Sequence, residues 1–303
     1  SKTLWSQPEI ERCEMKVGII GLGIMGSAYA KNLLGAGVCV AGADPAILSR
    51  EQLEVAGGMS HLSAGPWLID CDLVIISVAS TKVLATVSKE LGEILNPGQV
   101  VMETGTFAMV DKLAAKAAVE VDGAVLLDTP VSGTGKQAAT ADLVIMASGP
   151  SHAIAHAKPY MEYLSHTIIE AGDFGAGSKL KYIANHAVAL HNCAAAETLH
   201  YADSLGMDRN LVYHMLSKGA GQSKMLDLRM PLMISGSYTP ATAHMEMFQK
   251  DLSIIGADIR NQGITTPMFD AVSSLYDKGW SLVSKDSDTA SVFEVYRYID
   301  GKV

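Results

Sequence analysis

The stretch from residue 16 to residue 44 decides the fold, and it reads KVGIIGLGIMGSAYAKNLLGAGVCVAGAD. The apolar run before the first glycines predicts a short buried strand, residues 27–34 predict a helix, and residues 38–43 predict a second strand. A glycine-rich turn joins the first strand to the helix. This order of strand, turn and helix is typical of the unit that holds the diphosphate of a dinucleotide.

Three glycines in this turn have separate physical tasks. Gly21 permits a tight turn, Gly23 lets the main chain approach the diphosphate, and Gly26 lets the helix pack closely on the strand. The diphosphate then meets the positive end of the helix dipole. An ordinary glycine turn is the alternative, which the flanking strand and helix disfavour. We predict cofactor contacts along the whole turn, from Gly21, Leu22, Gly23, Ile24, Met25 and Gly26.

Asp44 ends the second strand, 18 residues after Gly26. At that place a carboxylate can accept hydrogen bonds from both hydroxyls of a ribose and would repel a phosphate, so we predict NAD as the cofactor. NADP is the less favoured alternative, because Arg50 could reach a phosphate from the next helix. A purely structural interpretation is that Asp44 caps a helix and that Pro45 occupies the first helical position.

Length and composition exclude several classes of protein. The chain has 303 residues, 49% of them apolar, which is enough for two domains with full cores. Its apolar stretches are too short to span a membrane, and the amino end lacks a signal-peptide pattern, so we expect a cytoplasmic protein without membrane contact. The net charge of −9 and the lack of a basic stripe argue against nucleic acid as a partner.

The four cysteines lie at positions 13, 39, 71 and 193, without the spacing of a metal site. We therefore expect reduced cysteines, with neither a disulfide framework nor a bound metal. Residues 1–14 are expected to form an amino-terminal arm without an assigned function.

Past Asp44, short apolar runs alternate with alanine-rich helical segments. This alternation predicts an α/β domain over residues 15–173, with a Rossmann-like, doubly wound and mostly parallel sheet. The last two or three strands are expected to pair differently, since little helix separates them. The predicted strands after the first two are residues 73–78, 100–103, 125–127, 143–147 and 168–169.

From residue 174 onward the pattern changes to helical periods, which predict an all-helical domain over residues 174–303. It opens with a helix over residues 178–205, roughly 42 Å long. Apolar residues surround this interdomain helix, so we expect a second subunit to bury part of it. The chain is therefore predicted to form a homodimer or a homotetramer.

Several polar residues are candidates for chemistry. Lys181 and Asn185 lie one turn apart on the long helix and can present an amine and an amide on one face. The loop from residue 128 to residue 135 follows a strand, and its Ser132 hydroxyl and Gly133 amide suit a carboxylate. A Lys250-Asp251 pair lies near the carboxyl end. Each is ordinary alone: a solvated lysine, a loop between strands, an exposed ion pair.

Together these segments resemble the β-hydroxyacid dehydrogenase family, to which 3-hydroxyisobutyrate dehydrogenase belongs. The resemblance runs from Met15 to about Val283. The family's cofactor turn matches residues 21–26, and its Asp-Ala-Pro-Val-Ser-Gly-Gly loop matches residues 128–134. Its catalytic pattern Gly-x-Gly-x-x-x-Lys-x-x-x-Asn matches residues 175–185, and its Lys-Asp pair matches residues 250–251.

The resemblance implies an NAD-dependent oxidoreductase that interconverts a small anionic β-hydroxyacid and its semialdehyde or keto form. Lys181 would carry the hydroxyl proton and Asn185 would align it. An ordinary lysine, with a pKa of about 10.4, is a poor base at neutral pH, so the site is expected to lower that pKa. Ser132 and Gly133 would hold the substrate carboxylate. The remaining implied cofactor contacts are Ser77, Val78, Ala79, Thr106 and Lys250.

The chain departs from the family pattern around the substrate. Thr134 replaces the second glycine of the loop, Ala141 stands where the family often has glycine, and Ala184-Asn185-His186 replaces the common Asn-Asn pair. His244 occupies a place often taken by an aromatic residue. Thr134 and His244 are therefore added to the predicted substrate contacts, and 3-hydroxyisobutyrate itself is not assumed.

Two other functions remain open at this point, and a third is less favoured. An imine reductase shares the two-domain architecture, but such proteins typically lack a lysine where this chain has Lys181. A non-catalytic dinucleotide-binding module is disfavoured by the presence of Lys181, Asn185 and Ser132. A decarboxylating sugar-phosphate dehydrogenase is disfavoured by the short helical region and by the lack of a basic cluster for a phosphate.

Overall fold

The structure, a computed structural model, describes residues 13–301. Within that range nine strands form one sheet. In chain order they are β1 (Lys16–Ile20), β2 (Cys39–Ala43), β3 (Met59–His61), β4 (Leu73–Ile76), β5 (Val100–Glu103), β6 (Val125–Asp128), β7 (Val131–Ser132), β8 (Leu143–Ser148) and β9 (Ser165–Gly172).

The strands lie in the order β3-β2-β1-β4-β5-β6-β8-β7, with β9 paired to β8. From β3 to β6 every pair is parallel. Beyond β6 the pairing changes: β8 is antiparallel to both β6 and β7 and parallel to β9. The predicted doubly wound, mostly parallel sheet and its altered last strands are therefore confirmed.

Helices connect these strands and cover both faces of the sheet. They are α1 (Ile24–Gly35), α2 (Ile47–Val55), α3 (Thr81–Ile94), α4 (Met109–Val119), α5 (Gly135–Ala139) and α6 (Ser151–Met161). The side chain of Ser80 caps α3 by accepting a hydrogen bond from the Val83 amide. Leu84 and Leu91, two turns apart, are buried against the sheet. Capping and apolar spacing thus explain why this segment is a helix packed on the strands.

The described residues divide into two compact units, one up to Lys181 and one from Tyr182 onward. The second consists of helices, and its core contains Met230, Phe248, Tyr276 and Phe293. The long helix begins in the first unit, two residues before its predicted start. The helices are α7 (Ala176–Ser204), α8 (Arg209–Leu216), α9 (Lys224–Ser235), α10 (Met245–Gln262), α11 (Pro267–Leu282) and α12 (Val292–Ile299).

The cysteines correct one expectation. Cys13 and Cys39 form a disulfide, with their Cα atoms 5.9 Å apart. The pairing of the chain just before β1 with the start of β2 brings them together, through a bond from the Cys39 amide to the Met15 carbonyl. Cys71 and Cys193 are free and buried, and burial raises the pKa of each thiol to about 12.

Two further expectations concern the ends of the chain and the membrane. The proposed amino-terminal arm, residues 1–14, falls almost wholly outside the described residues, of which Cys13 is the first. Among the helices of residues 13–301, none combines the length and apolar character needed to cross a membrane.

Candidate active site

A cavity of about 440 Å³ lies where several parallel strands end. The size is ordinary for a ligand pocket, and the carboxyl edge of a doubly wound sheet is where such folds bind ligands. Gly21 follows β1, Asp44 follows β2, and Ser77 follows β4. The lining residues are Ile20, Gly21, Gly23, Ala43, Asp44, Pro45, Leu62, Ser63, Ala64, Ser77, Val78, Ala79, Val83, Val87 and Glu90.

The glycines of the turn fit a dinucleotide. Gly21 has φ +96°, a left-handed conformation that disfavours side chains, and a Cβ there would overlap the Ser77 carbonyl. A Cβ on Gly26 would overlap the Gly21 carbonyl, so α1 packs closely on the turn. Gly23 has open space where its side chain would be, on the cavity side. The turn therefore leaves room for a diphosphate against the main chain at the start of α1.

The other residues of the turn have different surroundings. Leu22 is buried in the core of the first unit, and only its amide faces the Asp44 carboxylate. The Ile24 side chain is 59% exposed. Among residues 21–26, Gly21 and Gly23 line the cavity and Leu22, Ile24, Met25 and Gly26 do not. The predicted cofactor contacts of these four residues therefore stay predictions.

Asp44 is fixed by main-chain hydrogen bonds. Its Oδ2 accepts from the Leu22 amide and its Oδ1 from the Ala46 amide, both at 2.8 Å. Arg50 Nη1 donates to the carbonyls of Asp44 and Pro45 at 2.7 and 2.9 Å. Ala46, and not Asp44, is the N-cap of α2, so the alternative interpretation of Pro45 as the first helical residue is wrong.

The other predicted cofactor contacts of the first unit divide into two groups. Ser77, Val78 and Ala79 line the cavity. Thr106 is buried in the loop after β5 and is not among the lining residues. All four cofactor contacts stay predictions, and three of them belong to residues that share a cavity with Asp44.

The substrate loop leaves β6, and its residues have clear local roles. Ser132 is half-buried in β7, and Gly133 has φ +141°, where a Cβ would crowd Leu143. Thr134 caps α5: its hydroxyl accepts from the Gln137 amide at 3.3 Å, while the Gln137 side chain accepts from the Thr134 amide at 3.0 Å. The departure at Thr134 is therefore explained by a helix cap.

A second departure from the family pattern has a backbone consequence. Ala141 has φ +54°, and it is the one non-glycine residue with positive φ among residues 13–301. This left-handed conformation costs free energy for a residue with a Cβ, and glycine adopts it without that cost. The geometry thus explains why glycine is frequent at this position in the family that the sequence resembles.

Asp128 links the substrate loop to the start of the long helix. Its Oδ2 accepts from the Ser178 amide and its Oδ1 from the Ser178 hydroxyl, both at 2.8 Å. The Gly177 amide donates to Ser148 Oγ at 2.9 Å, and that hydroxyl donates to Asp128. A carboxylate at the first turn of α7 also interacts favourably with the helix dipole.

A buried cation balances the charge of Asp128. Lys112 Nζ contacts Asp128 Oδ1 at 2.9 Å, forms an ion pair with Glu103 and donates to the Gly105 carbonyl at 2.8 Å. All three charged side chains are fully buried. Burial would lower the pKa of Lys112, but the two carboxylates outweigh it and raise that pKa. Burial raises the pKa of Glu103, in part offset by Lys112.

Lys181 lies one turn after Ser178 on α7 and is half-buried. Lys179 is exposed, as expected for a residue about 200° away around the helix. Lys181 is also the last residue of the first unit. The first unit therefore contains both the cavity beside the glycine turn and the candidate proton carrier.

The second unit joins three predicted residues. Asn185, which is buried, donates through Nδ2 to Asp251 Oδ2 at 2.9 Å, and Lys250 Nζ contacts Asp251 Oδ1 at 3.2 Å. Lys250-Asp251 is thus part of a polar network with Asn185 rather than an isolated surface pair. His186 stacks on Phe269 at 5.1 Å between ring centroids.

His244 has a different position in the second unit. It is the N-cap residue of α10 and its Nδ1 lies 3.2 Å from the Asp286 carbonyl. Its role in substrate binding stays a prediction.

Sequence reasoning missed two groups of site residues. Val83, Val87 and Glu90 line the cavity from one face of α3, and their spacing of four and three residues was a signal that could have found them. Lys112 and Glu103 left no such signal. A lysine in an alanine-rich helix resembles a solvated residue, and nothing in the sequence pairs it with Glu103 on a separate strand.

Two family models match consecutive parts of the chain. The NAD binding domain of 6-phosphogluconate dehydrogenase matches residues 16–172. The NAD-binding domain of NADP-dependent 3-hydroxyisobutyrate dehydrogenase matches residues 175–296.

Individual proteins show the same likeness over nearly their full length. L-threonate dehydrogenase of Cupriavidus necator is 28% identical over 94% of this chain and 97% of its own. The crystal structure of 3-hydroxyisobutyrate dehydrogenase from Salmonella typhimurium has a TM-score of 0.85 at 27% identity and covers 93% of this chain and 100% of its own. An imine reductase from Bacillus cereus, at 18% identity and a TM-score of 0.55 over 94% and 99%, shares the fold alone.

Proposed function

The chain belongs to the β-hydroxyacid dehydrogenase family, and on that premise we propose that it interconverts a small β-hydroxyacid and its semialdehyde or keto form with NAD. Membership makes it an NAD(P)-dependent oxidoreductase. The observation that carries the finer proposal is the bond pair from Ser178 to Asp128, which ties the substrate loop to the helix of Lys181.

Each step of the reaction has residues suited to it. The glycine turn and Asp44 would hold the dinucleotide, which when bound accepts a hydride from the alcohol carbon or returns it. Lys181 Nζ takes the hydroxyl proton in oxidation and gives it back in reduction. Asn185, fixed by Asp251, aligns the amine and the substrate oxygen. Ser132 and the Gly133 amide hold the substrate carboxylate.

The preference for NAD rests on Asp44. Its carboxylate is held beside the glycine turn by two amides and lines the cavity. A negative charge at that place favours ribose hydroxyls and repels a 2′-phosphate. Arg50 is engaged with two carbonyls through Nη1, which supports NAD further.

The substrate is proposed as a hydroxyacid of three or four carbons, with L-threonate and 3-hydroxyisobutyrate as the first compounds to try. Both names belong to similar proteins. We also propose Thr134 and His244 as substrate contacts, Lys250 and Thr106 as cofactor contacts, domain limits at residues 15–173 and 174–303, and a cytoplasmic homodimer or homotetramer.

The experiment is NADH formation with a panel of such hydroxyacids at about pH 9, for the wild type and for Lys181→Ala. Loss of a positioned acid–base group costs about 10²–10⁴-fold in turnover, so we expect the variant to lose that much and to keep its NAD affinity. Lys179→Ala is the matched control, because that lysine is exposed on the same turn. Retention of more than about a tenth of the activity by Lys181→Ala would contradict the proton role.

The other two candidate functions have distinct outcomes in the same experiment. If the wild type forms no NADH with any hydroxyacid of the panel but reduces imines, an imine reductase is favoured. If it acts on neither hydroxyacids nor imines but still binds NAD, a non-catalytic dinucleotide-binding module is favoured.

A further inference from the structure

The dinucleotide cavity contains a carboxylate that the proposed mechanism leaves unused. Glu90 lines the cavity and is half-buried, two and a half turns into α3. Over residues 13–301, its carboxylate has no hydrogen-bond or ion-pair partner. Among the lining residues the other ionisable side chain is Asp44, and no lysine, arginine or histidine is among them.

The position of Glu90 on the helix directs it into the cavity. Val83, Val87 and Glu90 are spaced by four and three residues, so their side chains fall within about 60° on one face of α3. The first two give this wall an apolar surface, and the carboxylate stands at its far end, roughly 10 Å along the helix axis from Val83.

Different regions of the cavity suit different parts of a dinucleotide. The diphosphate belongs at the glycine turn, and the adenosine ribose belongs at Asp44. The walls that neither part uses are mainly apolar, as a stacked base requires. They come from Pro45, Leu62, Ala64, Val83 and Val87, with Ser63 as a polar neighbour and Glu90 as the one charged neighbour.

The chemistry of adenine then selects one partner for the carboxylate. An ionised carboxylate accepts hydrogen bonds and cannot donate them. The ring nitrogens of adenine are acceptors, and its exocyclic amine is its donor. We propose that Glu90 accepts a hydrogen bond from the 6-amino group of the cofactor's adenine and so selects adenine over bases with an oxygen at that place. This assignment deepens the proposed use of NAD.

The test compares NAD with nicotinamide hypoxanthine dinucleotide, in which a 6-oxo group replaces the 6-amino group. Binding is measured by isothermal titration calorimetry without a hydroxyacid, so turnover is not needed. Because the oxo group would face the carboxylate, we expect the wild type to bind NAD about tenfold more tightly than the analogue.

Glu90→Gln is the decisive variant, because an amide can accept from the 6-amino group or donate to the 6-oxo group. It should bring the two affinities to within about twofold of each other. Glu90→Ala should weaken NAD and also lose the preference. Glu93→Gln, an exposed carboxylate on the same helix outside the cavity, should keep the wild-type ratio.

Two results would overturn the assignment: equal wild-type affinity for both dinucleotides, or a wild-type ratio that Glu90→Gln leaves unchanged. Its failure is separable from that of the proposed function. If the wild type oxidises no hydroxyacid of the panel but still prefers NAD over the analogue, the proposed dehydrogenase activity is contradicted and the adenine contact is supported.

Discussion

The Asp44 carboxylate has a structural role in addition to its proposed role in cofactor recognition. It receives the amides of Leu22 and Ala46, so it holds the glycine turn against the entry to α2. A carboxylate also has further lone pairs, which remain for ribose hydroxyls. One residue therefore fixes the shape of the turn and, in the proposed function, would also set the choice between NAD and NADP.

For this reason Asp44→Ala is expected to weaken NAD binding by about tenfold or more and to reduce the preference over NADP. NADP affinity should not reach that of the wild type for NAD, because the Leu22 amide loses its acceptor. Glu51→Ala removes an exposed acid on α2 and serves as the control. Dissociation constants from calorimetry decide the matter, and an unchanged ratio of NAD to NADP would show that the ribose is recognised elsewhere.

At the residue scale the sequence identified what has a fixed chemical pattern and missed what depends on packing. Gly21, Gly23 and Asp44 were predicted as cofactor contacts because their spacing follows from dinucleotide geometry, and all three line the cavity. Lys112 was missed because its partners, Glu103 and Asp128, come from two different strands. The Cys13–Cys39 disulfide was missed for a similar reason, since only strand pairing brings positions 26 residues apart together.

Secondary structure elements were likewise predicted where the sequence pattern is long and missed where the element depends on partners elsewhere in the chain. Strand β5 has the predicted bounds, and the long helix differs from its prediction by two residues at the start and one at the end. Strands β3 and β7 were not predicted. They have three and two residues, too few to show a period, and partners elsewhere in the chain stabilise them.

The buried ion network should dominate the stability of the first unit's site. Lys112→Met removes the cation and leaves Glu103 and Asp128 buried without a countercharge, at a cost of about 3–5 kcal/mol in the free energy of unfolding. Lys116→Met, four residues on, breaks a half-exposed pair with Glu120 and should cost about 0–1 kcal/mol. Urea unfolding followed by circular dichroism measures both.

The pH dependence separates charge from packing. Burial already raises the pKa of Glu103 and Lys112 partly offsets that effect, so in Lys112→Met we expect the folded-state pKa of Glu103 to lie further above its unfolded-state value. Stability then falls as pH rises through that interval and recovers on acidification. The deficit relative to the wild type should therefore shrink from about pH 8 to about pH 5, and the double variant Glu103→Gln/Lys112→Met should regain part of it. A deficit independent of pH would assign the effect to lost packing.

For the whole molecule, the helical unit exposes a set of large apolar side chains. Leu211 and Met215, one turn apart on α8, are 56% and 57% exposed. Ile183, Tyr201 and Leu205 on or next to α7 are each more than half exposed. Apolar surface of this kind is typical of an interface and supports the proposed homo-oligomer.

Sedimentation velocity at micromolar concentration should show a dimer or tetramer for the wild type. Leu211→Asp/Met215→Asp should shift it toward the monomer without loss of helix, because both side chains lie on the surface. Val110→Asp, at an exposed apolar residue in the first unit, should leave the mass unchanged. A wild type that sediments as a monomer would refute the assembly.

The short helix α5 rests on α1, the helix that follows the glycine turn. Asn32 Nδ2 donates to the Ala138 carbonyl at 2.8 Å, and a Cβ on Gly135 would lie 2.5 Å from Ile24 Cγ2. Variation of positions 132–135 alone, to admit bulkier acids, would therefore also shift α1 and weaken binding of the proposed coenzyme. Libraries that randomise Ile24 and Asn32 together with that loop would allow compensating changes in α1 and α5.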